Sequence, residues 1–149
     1  MLKKPSTEIN FLKDYQLVAI VSYLKDYTLC YNINNSLDID LVKHNDILFL
    51  SSSGDESSFS WYYYKDEISR TSYYLIGNKC EGGSLLKSQK AVDYFLLIKN
   101  PVDDELLKPT IVSLRTISNV TVVFELDMKQ YKNMETLLEA IELHELEVI

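Results

Sequence analysis

Asp38, Asp40, His44 and Asp46 fall within nine positions and form the densest concentration of potential metal ligands in the chain. Carboxylate oxygens would suit a hard cation such as calcium or magnesium. Alternation would set Asp38 and Asp40 on one side and His44 with Asp46 on another. The spacing lacks the glycine and terminal glutamate of a calcium loop, so a solvated helix-to-strand connection is the simpler reading, and no metal or cofactor is expected. The other histidine is His144. No Gly-x-Ser-x-Gly elbow, phosphate-binding glycine loop or dinucleotide fingerprint is present, and Gly82-Gly83-Ser84 has no strand-to-helix setting. Asp103 and Asp104 read as helix-start charges favoured by the dipole. No catalytic residue is assigned.

Binding is better provided for. On an extended strand, Phe59, Trp61 and Tyr63 share one face while Ser60, Tyr62 and Tyr64 share the other; Tyr73 and Tyr74 on the next strand also point to opposite faces. One face is expected in the core. The second would display tyrosines to solvent, to a partner protein or to a second copy in a homodimer. The candidate interaction surface is therefore Trp61, Tyr62, Tyr64, Tyr73 and Tyr74. A sheet merely stabilised by cross-strand aromatic pairs, at ~0.2–1 kcal/mol each, is the plainer alternative. The acidic segment 128–149 is the second candidate surface, with Leu137, Leu138 and Ile141 on one helical face beside Met134. Its simplest fate is docking on its own sheet, and contact with another chain is the alternative.

The elements that must carry these groups follow from apolar periodicity. A near-continuous apolar run over 16–23 reads as a strand covered on both faces. Asp26 can cap a helix over 27–37 with Leu29, Cys30, Ile33 and Leu37 on one side. Strands are expected over 46–50, 59–65 and 71–76, the last two forming a hairpin turned by 66–70. A Ser-rich loop covers 51–58 and a Gly-rich loop 77–84. A strand over 92–99 ends at Asn100-Pro101. Asp103 or Asp104 then begins a second helix bearing Leu107, Ile111 and Leu114, with Pro109 at its start or at a kink. Ser118-Asn119 breaks that helix before a strand over 120–126, and Asn133 caps a last helix. The order β-α-β-β-β-β-α-β plus a C-terminal helix implies an α+β fold: a mainly antiparallel sheet of five to six strands with two helices on one face. Residues 1–149 are expected to form a single domain with a loose arm over 1–10. The likeness to split β-α-β topology carries no function.

Composition narrows the classes. At 149 residues the chain can bury a real core. A formal net charge of -7 argues against nucleic acid as a partner, and beyond Lys3-Lys4 no basic cluster opposes that reading. The same charge, with no basic glycine-flanked aromatic signature, argues against stacking on single-stranded RNA. Cys30 and Cys80 read as two free thiols in a reducing compartment. The run 17–24 lacks the features of a signal peptide, and none is long enough to span a bilayer. A cytoplasmic protein without a membrane partner is expected.

Val92-Asp93-Tyr94-Phe95-Leu96, Lys25-Asp26-Tyr27-Thr28-Leu29, Phe59-Ser60-Trp61-Tyr62-Tyr63 and the closing strand over 121–127 stand in the order found in the uncharacterised bacterial family named for its IPExxVD motif, which the chain resembles over residues 15–133. Lys87-Ser88-Gln89 replaces the Ile-Pro-Glu part, so Val92 and Asp93 are what remains of the motif. The resemblance implies a Bacteroidota-like cytoplasmic protein and supplies no catalytic residue. Together these readings point to a small cytosolic non-catalytic binding or adaptor protein, acting through the aromatic sheet face or the acidic tail. The alternative is a small-molecule-binding regulatory domain with a pocket between sheet and helices.

Overall fold

β1 (Tyr15–Ser22) is almost wholly buried, as its unbroken apolar run requires, and it lies inside the sheet between two antiparallel neighbours. The computed structural model describes residues 12–50, 54–80, 83–101 and 107–149. The expected arm over 1–10, Ser51–Ser53 of the serine loop, Gly82, and Asp103 and Asp104 lie outside the described residues. After β1 come α1 (Asp26–Leu37), β2 (Val42–Leu50), β3 (Glu56–Asp66), β4 (Thr71–Gly77), the ribbon strands β5 (Lys79–Cys80) and β6 (Gly83–Ser84), β7 (Tyr94–Lys99), α2 (Leu107–Arg115), β8 (Val120–Leu126) and α3 (Met134–Val148).

Six strands form one sheet in the order β2-β3-β4-β7-β1-β8, with every neighbouring pair antiparallel. The fold is α+β. β7 and β8 flank β1 and run parallel to each other, so α2 must carry the chain across β1. By the same count β2 runs parallel to β1, and α1 makes the longer crossing to the far edge.

The sheet has a core on each face. On one, Leu29, Cys30 and Ile33 of α1 and Leu107 and Leu114 of α2 cover Val18, Ile20, Leu75, Leu96 and Ile98. On the other, Met134, Leu138 and Ile141 of α3 cover Leu17, Trp61, Tyr74, Ile76, Phe95 and Leu97. The segment expected as a tail is thus an integral layer.

Local signals act as anticipated at several ends. Asn100 and Asn119 take positive φ where β7 ends and where β8 begins, and Arg70 does so at the end of the hairpin turn. Pro109 lies within the described part of α2, two residues after Leu107. Three details differ from expectation. Lys25 occupies the N-cap of α1, and Asp26 instead accepts from the Tyr27 amide at 2.9 Å. Asn133 precedes α3 in the left-handed region at φ 64 and makes no side-chain cap bond. β2 begins at Val42, because a register shift between His44 and Ile47 absorbs the irregular residues in a bulge.

The described residues of the glycine-rich stretch include two short paired strands where a loop was expected. Asn78 is fully buried and ties the excursion between β4 and β7 together. Its Nδ2 donates to the carbonyls of Gln89 at 2.8 Å and Val92 at 2.7 Å, and its Oδ1 accepts from the Leu86 amide at 3.0 Å. Its backbone bonds Asp93 O and Leu85 N. Replacing Asn78 by Ala strands the buried Val92 carbonyl, at ~1–3 kcal/mol, and removes the partners of the half-buried Gln89 carbonyl and Leu86 amide. Denaturant unfolding of Asn78→Ala should show a loss of about 2 kcal/mol or more; a loss under about 1 kcal/mol would contradict this role.

Candidate binding surfaces

Period-two alternation sends Trp61, Tyr63 and Tyr74 to the α3 face, where they form a contiguous aromatic cluster. Trp61 and Tyr63 stack with ring centroids 5.6 Å apart, and Tyr63 and Tyr74 lie 5.3 Å apart. His144 of α3 sits edge-on to Trp61 at 4.7 Å and bonds the Asn45 carbonyl in the β2 bulge at 2.7 Å.

Each tyrosine that α3 covers needs an acceptor for its hydroxyl, and the glutamates of α3 supply them. Tyr15 donates to Glu142. Tyr63 and Tyr74 donate to the two oxygens of Glu145 at 3.0 and 2.6 Å. Lys99 of β7 closes on Glu142 at 3.1 Å. Burial, then these carboxylates, push the Tyr15 and Tyr74 phenols well above their ordinary value; the same causes push Tyr63 up to about 12. Burial pushes Glu142 up, but bonds from Tyr15 and Lys99 and the lysine charge outweigh it and hold the carboxyl below its usual value. The apolar void left under α3 is only about 10 Å³.

The two surfaces expected from the sequence therefore meet each other. Trp61 and Tyr74 are fully buried beneath α3, and Tyr62 is buried on the opposite face against α1, so none of the three displays a ring to a partner. This corrects the expected open tyrosine face, and the reason is that helices cover both sides of the hairpin. Tyr64 and Tyr73 remain half-exposed and stack at 6.0 Å. On α3, Leu138 and Ile141 are buried and Leu137 is partly so, all against the sheet.

The Asp/His cluster is dispersed. Asp38 takes the left-handed position ending α1, Asp46 pairs with Lys43 at 3.3 Å, and His44 lies beside Trp61 and Tyr63. Among the described residues no group of three or more His, Cys, Asp or Glu side chains is placed to hold a metal. Cys30 and Cys80 are both free, and burial pushes the Cys30 thiol up to about 11.

What stays open lies around the start of α1. An open cleft of about 500 Å³ is lined by Ser22, Tyr23, Lys25, Ser60, Lys79 and Asp93, among others. Asp93 builds its wall: one carboxylate oxygen accepts from the Ser22 amide at 2.9 Å and the other meets Lys79 at 2.8 Å. Its neighbour Val92 is buried. Tyr23, in the bend before α1, lines the cleft, and Tyr27 and Tyr31 stand four apart on the outside of α1. Tyr23 is 92% exposed, Tyr27 62% and Tyr31 66%. The signal for the α1 pair was present in the sequence, since Tyr27 and Tyr31 are four apart and off the stripe of Leu29, Cys30 and Ile33.

No family model and no curated protein matches this chain.

The carboxylate–phenol contacts set a pH dependence with a definite sign. Glu142, held low, contributes stability that is present above its unfolded value near 4.5 and lost as pH falls through the lower folded value. The tyrosines, held high, contribute stability that is present below pH 10 and lost as pH rises through their folded values. Melting temperature should plateau between these limits and fall on both sides. Glu142→Gln should flatten the acid limb and, by removing the carboxylate that raises Tyr15, weaken the alkaline one in part; an unchanged acid limb in that variant would contradict the assignment.

Proposed function

We propose that this chain is a non-catalytic binding module of adaptor type, which recognises a protein partner through Tyr23, Tyr27 and Tyr31 and the cleft that Tyr23 lines. The observation that carries the reading is the exposure of Tyr23 beside the cleft together with Tyr27 and Tyr31, one turn apart on α1. Single exposed apolar residues are ordinary, but a group of large amphipathic rings is what binding surfaces concentrate. Tyrosine gives contact area with few rotamers to freeze, and its hydroxyl tolerates water when the partner is absent.

A cytoplasmic setting and membership of the IPExxVD family belong to the same proposal. The latter rests on residues 25–29, 59–63, 92–96 and 121–127. Self-association as a homodimer is a further form of it, in which the partner is a second copy. A second reading, a regulatory domain that takes a small molecule, is favoured by the cleft, whose volume of about 500 Å³ is within the range of small-molecule sites.

The test is affinity capture from native cytosol with wild type and with Tyr23→Ser/Tyr27→Ser/Tyr31→Ser. Because these side chains are exposed, the triple variant should keep its stability to within about 0.5 kcal/mol per site. A near-stoichiometric partner retained by wild type and lost by the variant is expected. An identical set of captured proteins from both would remove these tyrosines from the function. A small molecule that raises the melting temperature of both forms would favour the second reading.

A further inference from the structure

We propose that the outer face of α3 is a docking surface for a cationic amphipathic helix of a partner protein. α3 has two faces with different work. Met134, Leu138 and Ile141 are spent on the sheet, and Glu142 and Glu145 are spent on tyrosine hydroxyls and Lys99. The outer side carries Leu143 and Leu146, which are 61% and 79% exposed, and Ile149 just past the helix end is 64% exposed. Two leucines on the solvent side of one short helix are not explained by the fold they decorate.

Their spacing describes what fits. Leu143 and Leu146, three apart, are neighbours on the helix surface and form a short apolar seam on which a second helix can pack. The charge describes it further. α3 contains five glutamates and no lysine or arginine, and Glu139 and Glu147, which flank the leucines, are exposed. A second α3 laid along this seam would set glutamate against glutamate, and like charges so placed repel. Anionic membranes and nucleic acids meet the same objection. A helix with leucine-type knobs flanked by lysine or arginine satisfies both the seam and the charge. The surface is also preorganised, because the glutamate–tyrosine bonds fix the underside of α3 to the sheet before any partner arrives. It lies across the sheet from Tyr27 and Tyr31 of α1, so the two surfaces do not compete; the docking does not depend on the function proposed above.

The probe is a pair of synthetic helices of equal length with leucine at the seam positions, one flanked by lysine and the other by glutamate. Each is titrated into the full chain by calorimetry, and the site is mapped by backbone amide shifts. The lysine peptide should bind, with shifts confined to the outer face of α3, and the glutamate peptide should not. Leu143→Ser/Leu146→Ser should weaken binding about tenfold or more, since those side chains lose their burial in the complex. Glu139→Gln/Glu147→Gln should weaken it less and reduce its salt dependence. Tyr27→Ser/Tyr31→Ser should leave it unchanged. Melting curves of the variants should match wild type, because all the altered positions are exposed. Undiminished binding by Leu143→Ser/Leu146→Ser would show diffuse charge attraction and overturn the proposal. A wild-type dimer that this variant abolishes would overturn it too, by naming a second copy as the occupant.

Discussion

β1, β7, β4 and β3 are apolar on both faces, and such a sheet is stable in water only when both faces are covered. The rest of the molecule answers that constraint. α1 and α2, the two crossovers, supply one layer because the parallel relations of β1 with β2 and of β7 with β8 cannot be made by hairpins. Neither crossover reaches the other face. α3 covers it, and the side chains that it meets there decide its composition. A face built from Tyr15, Trp61, Tyr63 and Tyr74 brings hydroxyls into the interior, and buried donors need acceptors. Glu142 and Glu145 provide them. The acidity of the C-terminal helix is thus in part an internal matter, three phenols being satisfied by two carboxylates, and Lys99 offsets part of the charge.

Much of this architecture was legible in the sequence. The buried run of β1, the hairpin of β3 and β4, and the β7–α2–β8 unit are local patterns, and each formed close to its expected limits. The sharing of a face by Phe59, Trp61 and Tyr63 was also legible, since alternation fixes which residues point together. It does not fix which direction is wet. That depended on Glu142 and Glu145, some seventy to eighty residues further along, and a long-range pairing of this kind leaves no periodic trace. Asn78 was hidden for a different reason: asparagine among glycines has the composition of a turn, and only the fold reveals a buried hub with its amide fully engaged. His44 and Asp46 looked like ligands because they are close in sequence, but the β2 bulge separates their roles.

The consequence for function is a change of surface. The rings that stood out in the sequence are largely consumed by the fold, and the surfaces left over are the outer sides of the helices: Tyr27 and Tyr31, with Tyr23 in the bend before them, on one, and Leu143 and Leu146 on the other. Asp93 joins the two levels of description. It ends the β1–β7 ladder by accepting from Ser22, and in doing so it shapes the cleft that Tyr23 lines. The groups proposed for recognition on helices, Tyr27 and Tyr31 of α1 and Leu143 and Leu146 of α3, lie on opposite sides of one sheet.

The central claim is that α3 roofs the aromatic face. Trp61, the single tryptophan, lies beneath that roof and therefore reports on it alone. The direct measurement is acrylamide quenching of Trp61 emission in the full chain, against a form ending at Asn133. A blue-shifted emission almost inaccessible to quencher in the full chain, becoming red-shifted and quenched in the shortened form, is the result this structure predicts. Ready quenching in the full chain, equal to that of the shortened form, would mean that α3 does not cover the sheet.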